Sequence, residues 1–348
     1  MNVVFDMETS DPDDFLTLLR LLGHPHVTLR AVTITPGTKE QVGLVRQALT
    51  WFGRTDIYVG AFNLDHVGNC VSEWHYKAYR LEKVESNDAE EGWAVLDRTL
   101  GVGTTLICGA ALKNLGALLH RMRTRIYDRP PCLGRAFIQG GFAGEGVVPP
   151  ENQLEKFKGK VTCPTFNLNG DPQSALSVLE RRAWFSDLRF VSKNVCHGVK
   201  YDKAMHAEFE ALRTTWCSHP LCTCACHTGG VQMLHFMECC FPCPRCEQNL
   251  PGHPGPATSP MAQSQSLIYQ GMAHYLGRHA DGKAFHDPLA ACCALNPDIG
   301  MWAEVELYRE RGEWGSYLLE GSGVKIITGY DHTLFVNTLL GGANAEDV

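Results

Sequence analysis

The sequence predicts an α/β protein built on a Rossmann-like, largely parallel central sheet with helices on both faces. Three observations carry that expectation. Short β-rich runs recur with enough chain between them for a helix, apolar residues in the intervening segments fall at helical spacing, and three helices open on the same dipeptide. The runs are Val3 to Phe5, Leu29 to Ile34, Ile57 to Val59, Thr104 to Ile107, Ala136 to Ile138 and Leu188 to Val191. Helical spacing is clearest at Phe15, Leu16, Leu18, Leu19 and Leu22, then at Leu112, Leu115, Leu118 and Leu119, and again at Leu176, Val178 and Leu179. Apolar stripes of this kind cover sheet faces. The dipeptides Asp11-Pro12, Asp171-Pro172 and Asp287-Pro288 suit helix starts, because the Asp carboxylate can accept from the unpaired N–H groups of a first turn and proline has no N–H to leave unpaired.

Composition narrows the function. With 348 residues, 44% of them hydrophobic and 20% charged, the chain can bury one large core or two modest ones. A formal net charge of -7 lacks the positive footprint of a protein that grips a polyphosphate backbone, so nucleic acid is not an expected partner. No run of about 18 apolar residues exists to span a bilayer, so no membrane partner is expected either. Met1 to Phe5 already reads as a buried strand and acids begin at Asp6, which leaves no room for a secretory leader; the cytoplasm is the expected compartment.

Residues 1–348 read as a single domain with one interruption. Of fifteen cysteines, eight lie between Cys217 and Cys246, inside a Cys/Pro/Gly-rich stretch, residues 216–265. One CxxC pair, Cys243 and Cys246, with His219, His227 and His235 nearby, makes a structural zinc arithmetically possible. No two well-spaced pairs flank a loop of the usual length, and the continuation cannot build a core, so the stretch is expected to be disordered. The abrupt change of composition also fits a segment foreign to the fold, such as a translated intron. Its removal would join two helical segments, HGVKYDKAMHAEFEAL and SLIYQGMAHYL.

The densest chemistry follows the first strand. In VVFDMETSDPDDF, Asp6 and Glu8 are expected on one face at the strand end while Asp11, Asp13 and Asp14 crowd the turn and the helix start. A helix N-terminus stabilises a carboxylate by about 0.3–1 kcal/mol, too little to offset several packed anions. A hard divalent cation relieves the rest, and oxygen donors with no thiol or imidazole in the turn suit Ca²⁺ or Mg²⁺ over zinc. Strand C-termini are also where α/β sheets bind ligands.

These residues resemble a known family. An opening strand followed by DxDxxxDD is the signature of the inosine-uridine nucleoside hydrolases, and Asp6 to Asp14 is similar to it, with Glu8 for the second Asp and one residue added. Five further segments match in the family's order. LICGAALKNLGALL resembles the TGxLTN segment, FIQGGF the MGG turn, and TFNLNGDPQSAL the EFNxxxDPEAA segment. NVCH resembles DVTH, and FHDPLAACCAL the HDPLA helix start. The resemblance spans about Asn2 to Asp202 and Ala262 to Gly329.

That resemblance implies the nucleoside hydrolase fold and a Ca²⁺ enzyme that cleaves the N-glycosidic bond of ribonucleosides to ribose and free base, usually as a homodimer or homotetramer. It implies Asp14 and Asp287 as metal ligands, joined by the backbone carbonyl of Gly109, with Asp6 in the same acidic cluster. Asp13 and Asn167 are implied at the ribose, and His286 near the leaving base. Glu8 is the favoured general base and metal ligand, and Asp11 is the alternative. Thr165 and Thr38 stand where the family often has Glu and Asn on the ribose. Trp74, His75 and Tyr76, read as a loop after the third strand, lie where the family places base contacts; stacking on a nucleobase and simple packing both fit them. His286 fits either a proton donor or a neutral, orienting ring, and His197 is equally open. A catalytically weakened member that binds nucleosides or a partner is the alternative function. A haloacid dehalogenase-type phosphatase is excluded, since position 8 is Glu where that chemistry needs a second Asp.

Overall fold

The structure is a computed structural model that describes residues 1–123, 125, 131–213 and 259–341. The cysteine-rich stretch up to residue 258, and with it every expectation of zinc or disorder there, lies outside the described residues.

The strands are β1 (Asn2–Met7), β2 (Thr28–Ile34), β3 (Tyr58–Ala61), β4 (Glu90–Glu91), β5 (Thr104–Cys108), β6 (Arg135–Gln139), β7 (Thr162–Cys163), β8 (Asp187–Val191), β9 (Lys200–Tyr201), β10 (Lys283–Ala284), β11 (Gly300–Glu310), β12 (Glu313–Leu318) and β13 (Val324–Tyr330). Eleven of them form one sheet in the order β4-β3-β2-β1-β5-β6-β8-β13-β11-β12-β7, and β9 and β10 pair separately. From β4 to β13 every pairing in that sheet is parallel. The helices cover both faces: Val3, Phe5 and Met7 of β1 enter one apolar cluster while Val4 enters the other. A strand buried on both sides reads as a continuous apolar run, which is why VVF was legible.

Beyond β13 the sheet turns antiparallel through β11, β12 and the two-residue β7. None of the six expected runs covers this part. The apolar and polar alternation of MWAEVELYRE was the available signal, since β11 buries Val305 and leaves Arg309 and Glu310 exposed.

Two boundaries need correction. The interruption does not run to residue 265: a helix spans Pro260–Leu276, Ser259 accepts from the Ala262 N–H, and Ser264 and Gln265 are buried. A Ser-Pro pair that composition marks as linker is here a cap and a first helical position. Trp74, His75 and Tyr76 are not in a loop but in the helix Glu73–Tyr79.

The topology fixes where chemistry can occur. β1, β5 and β6 are parallel neighbours, so the acidic turn after β1, Gly109 after β5 and Gln139 at the end of β6 all leave the same edge of the sheet.

Candidate active site

At that edge lies a cleft of about 300 Å³. Glu8 and Asp11 come from the turn after β1, and Asp13 and Asp14 from the first turn of the helix Pro12–Gly23. His286 and Asp287 come from the start of the helix His286–Leu295, so two ends of the chain meet in one wall. Ser10, Gly109, Gln139, Thr165, Phe166, Asn167, Lys193 and His197 complete the lining.

Asp13 joins the two helix starts. One of its oxygens accepts from Lys283 Nζ at 3.2 Å, and the other from the backbone N–H groups of His286 at 3.1 Å and Asp287 at 3.4 Å. Burial alone would raise its pKa, but the Lys283 ammonium beside it outweighs burial, and the carboxyl is held below its ordinary value. Lys283 also reaches Asp11 at 3.1 Å. Asp11 is raised to about 6 by burial and by Asp13.

Asp14 and Asp287 have no such cation. Asp14 Oδ1 accepts from the Glu8 N–H at 3.2 Å, and Asp287 Oδ1 is buried without a partner. Carboxylate oxygens of Asp13, Asp14 and Asp287 all lie within 4.8 Å of one another. Burial, then mutual repulsion among the acids, pushes Asp14 and Asp287 well above the usual carboxylate range. Gly109 faces this group so closely that a Cβ there would stand 2.5 Å from Asp14 Oδ1 and 2.7 Å from Asp287 Oδ1. Its carbonyl accepts from Asn167 Nδ2 at 2.9 Å. The same amide nitrogen donates to Gln139 O at 3.1 Å and Gln139 Oε1 at 2.6 Å.

Five carboxylates line a cleft whose nearby ammonium groups are Lys283 and Lys193; one carboxylate has a buried oxygen unfilled, and the clustered oxygens of Asp13, Asp14 and Asp287 are a donor set that could hold a hard divalent cation. Glu8 is raised by burial; one oxygen accepts from the Ser10 N–H at 2.6 Å, and no cation pairs with it among the described residues.

Across the cleft the rings of His286 and His197 lie 4.6 Å apart at 30°. Burial keeps both neutral, His197 down to about 3, and His286 Nε2 is buried without a partner. Lys156 Nζ is 2.9 Å from His197 Nδ1, so that nitrogen accepts. Thr165 is 3% exposed with an unpartnered buried hydroxyl, whereas Phe166 beside it is 76% exposed at the mouth.

Several expected residues are elsewhere. Asp6 does not line the cleft. It pairs in register with Thr33 and Cys108, and its carboxyl is filled by Thr33 Oγ1 at 2.6 Å, Asn114 Nδ2 at 2.9 Å and Cys108 Sγ at 3.2 Å. Strand alternation directs it to the face of its neighbours, while Glu8, past the strand end at Met7, is free to turn outward. Trp74 and His75 are core residues: the indole N–H donates to Gly271 O at 3.2 Å, and the fully buried imidazole packs edge-on against Phe15 at 5.1 Å. Thr38 caps the helix Lys39–Trp51 through Gln41. Of the three Asp-Pro starts, Asp171 alone caps through its side chain; Asp11 makes no cap bond, and Asp287 lies inside its helix, facing Asp14.

Lys283, Gln139, Phe166 and Lys193 were absent from the sequence reading. Phe166 lies inside TFNLNGDPQSAL and Gln139 inside FIQGGF, Lys193 directly precedes NVCH, and Lys283 stands three residues before His286, so proximity to motifs was the signal for all four.

No helix among the described residues is long and apolar enough to cross a membrane. The chain resembles an uncharacterized protein of Aquifex aeolicus (strain VF5), with 24% identity over 325 residues, covering 91% of this chain and 90% of that one. Its fold is that of a purine-preferring ribonucleoside hydrolase from Gardnerella vaginalis, with TM-score 0.58 and 12% identity over 98% of this chain and 97% of the other. An inosine-uridine preferring nucleoside hydrolase from Bacillus anthracis gives TM-score 0.56 and 14% identity over 98% and 99%. The family model described as inosine-uridine preferring nucleoside hydrolase matches residues 3–337, and the chain belongs to that family.

Proposed function

We propose that this protein hydrolyses the N-glycosidic bond of ribonucleosides, with Ca²⁺ as its resident cation. The observation that carries the reading is the meeting of Asp13, Asp14 and Asp287, from opposite ends of the chain, around a buried lone pair that no protein group fills. When bound, the ion supplies positive charge that acidifies a water and anchors the ribose diol.

The chain's own residues do the rest. Glu8 accepts the proton of the attacking water; it is favoured over Asp11 because Asp11 is engaged by Lys283. Asp13 and Asn167 orient the ribose, and Asp13 keeps the two helix starts together. Neutral His286 presents Nε2 to the departing base, where it can donate a hydrogen bond and carries no full positive charge. Asp6 holds the strand ends from behind, and Trp74 and His75 have no part in substrate binding.

Incubation of purified protein with Ca²⁺ and each common ribonucleoside, read by release of reducing sugar, tests the proposal. Ribose release that ceases with a chelator and in Glu8→Gln is expected. No sugar from any nucleoside with the ion bound would overturn it, and nucleoside-induced stabilisation without turnover would favour a binding role instead.

A further inference from the structure

The cleft has two walls of opposite charge. Facing the carboxylates, Lys193 lines the cleft, and Lys156 stands behind His197. Lys156, Lys160 and Lys193 gather around the Phe157 ring, with Nζ atoms 5.1, 5.9 and 5.9 Å from its centroid. The lysine ion pairs among the described residues fall instead on Lys83, Lys158, Lys283 and Lys325. Three lysines without a carboxylate partner among the described residues thus surround one ring, and one of them, Lys193, lines the cleft; in a chain of net charge -7 such ammonium groups repel one another unless an anion joins them.

A second observation points to the same place. Lys193 Nζ donates to Pro164 O at 2.8 Å, one residue before Thr165, a lining residue of the cleft whose hydroxyl is buried and without a partner. A free hydroxyl next to an ammonium is a donor pair for an oxyanion. A phosphoryl group, with about -1.5 to -2 charges and three acceptor oxygens, matches it.

We propose that Thr165 and Lys193, with Lys156 behind them, receive a phosphoryl group on the substrate's sugar, so that nucleoside 5′-monophosphates are the preferred substrate class. This rests on the hydrolase reading above: with the ribose diol at the acidic wall, the 5′ carbon is the position left to carry an anion to the basic one. The step balances as for a nucleoside. Water adds to C1′, the C1′–N bond breaks with its electron pair on the base, one water proton goes to Glu8 and a proton finally reaches the base nitrogen. The products are ribose 5-phosphate and free base.

The test compares inosine with inosine 5′-monophosphate, and uridine with uridine 5′-monophosphate, by initial rates and by calorimetry on the Ca²⁺-loaded protein, with inorganic phosphate and ribose 5-phosphate as further titrants. For the monophosphates, kcat/KM and affinity should exceed the nucleoside values about tenfold. That ratio should fall toward one in Lys193→Gln and by about threefold in Thr165→Val. Ribose 5-phosphate should bind more tightly than ribose, and inorganic phosphate weakly. A wild-type ratio of one or less, or a ratio unmoved by Lys193→Gln, overturns the inference. Tight inorganic phosphate with no gain for the monophosphates overturns it too, making the wall a free-phosphate site. Cleavage of nucleosides with no preference sinks this inference alone. A Lys193-dependent binding preference with no cleavage of any substrate supports it and sinks the hydrolase reading.

Discussion

Two helix starts with the same dipeptide do different work. At Asp171-Pro172 the carboxylate is filled at once by its own helix: Ser174 N–H donates to one oxygen at 3.1 Å and Ser174 Oγ to the other at 2.8 Å. At Asp287-Pro288 the acid sits inside its helix, 4% exposed, with one oxygen unpartnered and a second acid, Asp14, across from it. The contrast separates architecture from site. An acid satisfied within four residues holds a helix end; an acid buried with a lone pair unfilled, facing a cleft, is built for a partner the chain does not contain. Asp6 is the control, since it is equally buried and raised to about 6 by that burial, yet Thr33, Asn114 and Cys108 fill it.

The largest effect should come from removing the two acids that face each other without a cation between them. Asp14→Ala and Asp287→Ala should abolish Ca²⁺ binding by calorimetry and lower activity by about 10³-fold or more, with the fold kept by circular dichroism. Unfolding of both variants would place these acids with Asp171 as architecture.

His75 probes whether an unfilled buried atom suffices without a cleft. Its Nε2 has no partner, and burial holds the ring at about 4, below the unfolded value near 6.5. The unfolded chain therefore takes up a proton that the folded chain refuses, so this contribution is intact above pH 6.5 and is lost as pH falls toward 4, by up to about 3 kcal/mol. Denaturant titrations should show His75→Phe losing less stability than the wild type across that window, with activity at pH 7 retained. A loss of activity as large as that of Asp14→Ala would return His75 to the site.

Gly109 sharpens the geometry. The methyl of Gly109→Ala would meet both Asp14 and Asp287, so the oxygens must part, and Ca²⁺ affinity should fall about tenfold by titration. Unchanged affinity would mean the carboxylates move freely.

The smallest effect belongs to the cap. Asp171→Ala should lower stability by about 1 kcal/mol in denaturant melts and leave ion binding and kcat/KM unchanged. A change in either would show that this helix start also feeds the cleft.

Most of the parallel part of the sheet was legible because strands buried on both faces are continuous apolar runs: β1, β2, β3, β5, β6 and β8 each fall within about two residues of expectation, while β4 and β13 were not read. The antiparallel strands at the far edge, including the eleven-residue β11, were not read, since half-exposed strands give weaker local signals. The acids of the first turn and of HDPLA were legible as a family pattern. Their roles were not, because Asp11, Asp171 and Asp287 look identical as dipeptides.

By itself the sequence determined the order of strands and helices and the residue types brought to the site, since periodicity and motif spacing are local properties of the chain. Only the tertiary structure decided which of those residues face the cleft. Register turned Asp6 to Thr33, a helix carried His75 into the core, and the pairing of β9 with β10 belongs to the segment that delivers Lys283 to Asp11 and Asp13. The direction of a side chain is set by the neighbours packed against its element, and those neighbours are distant in the chain.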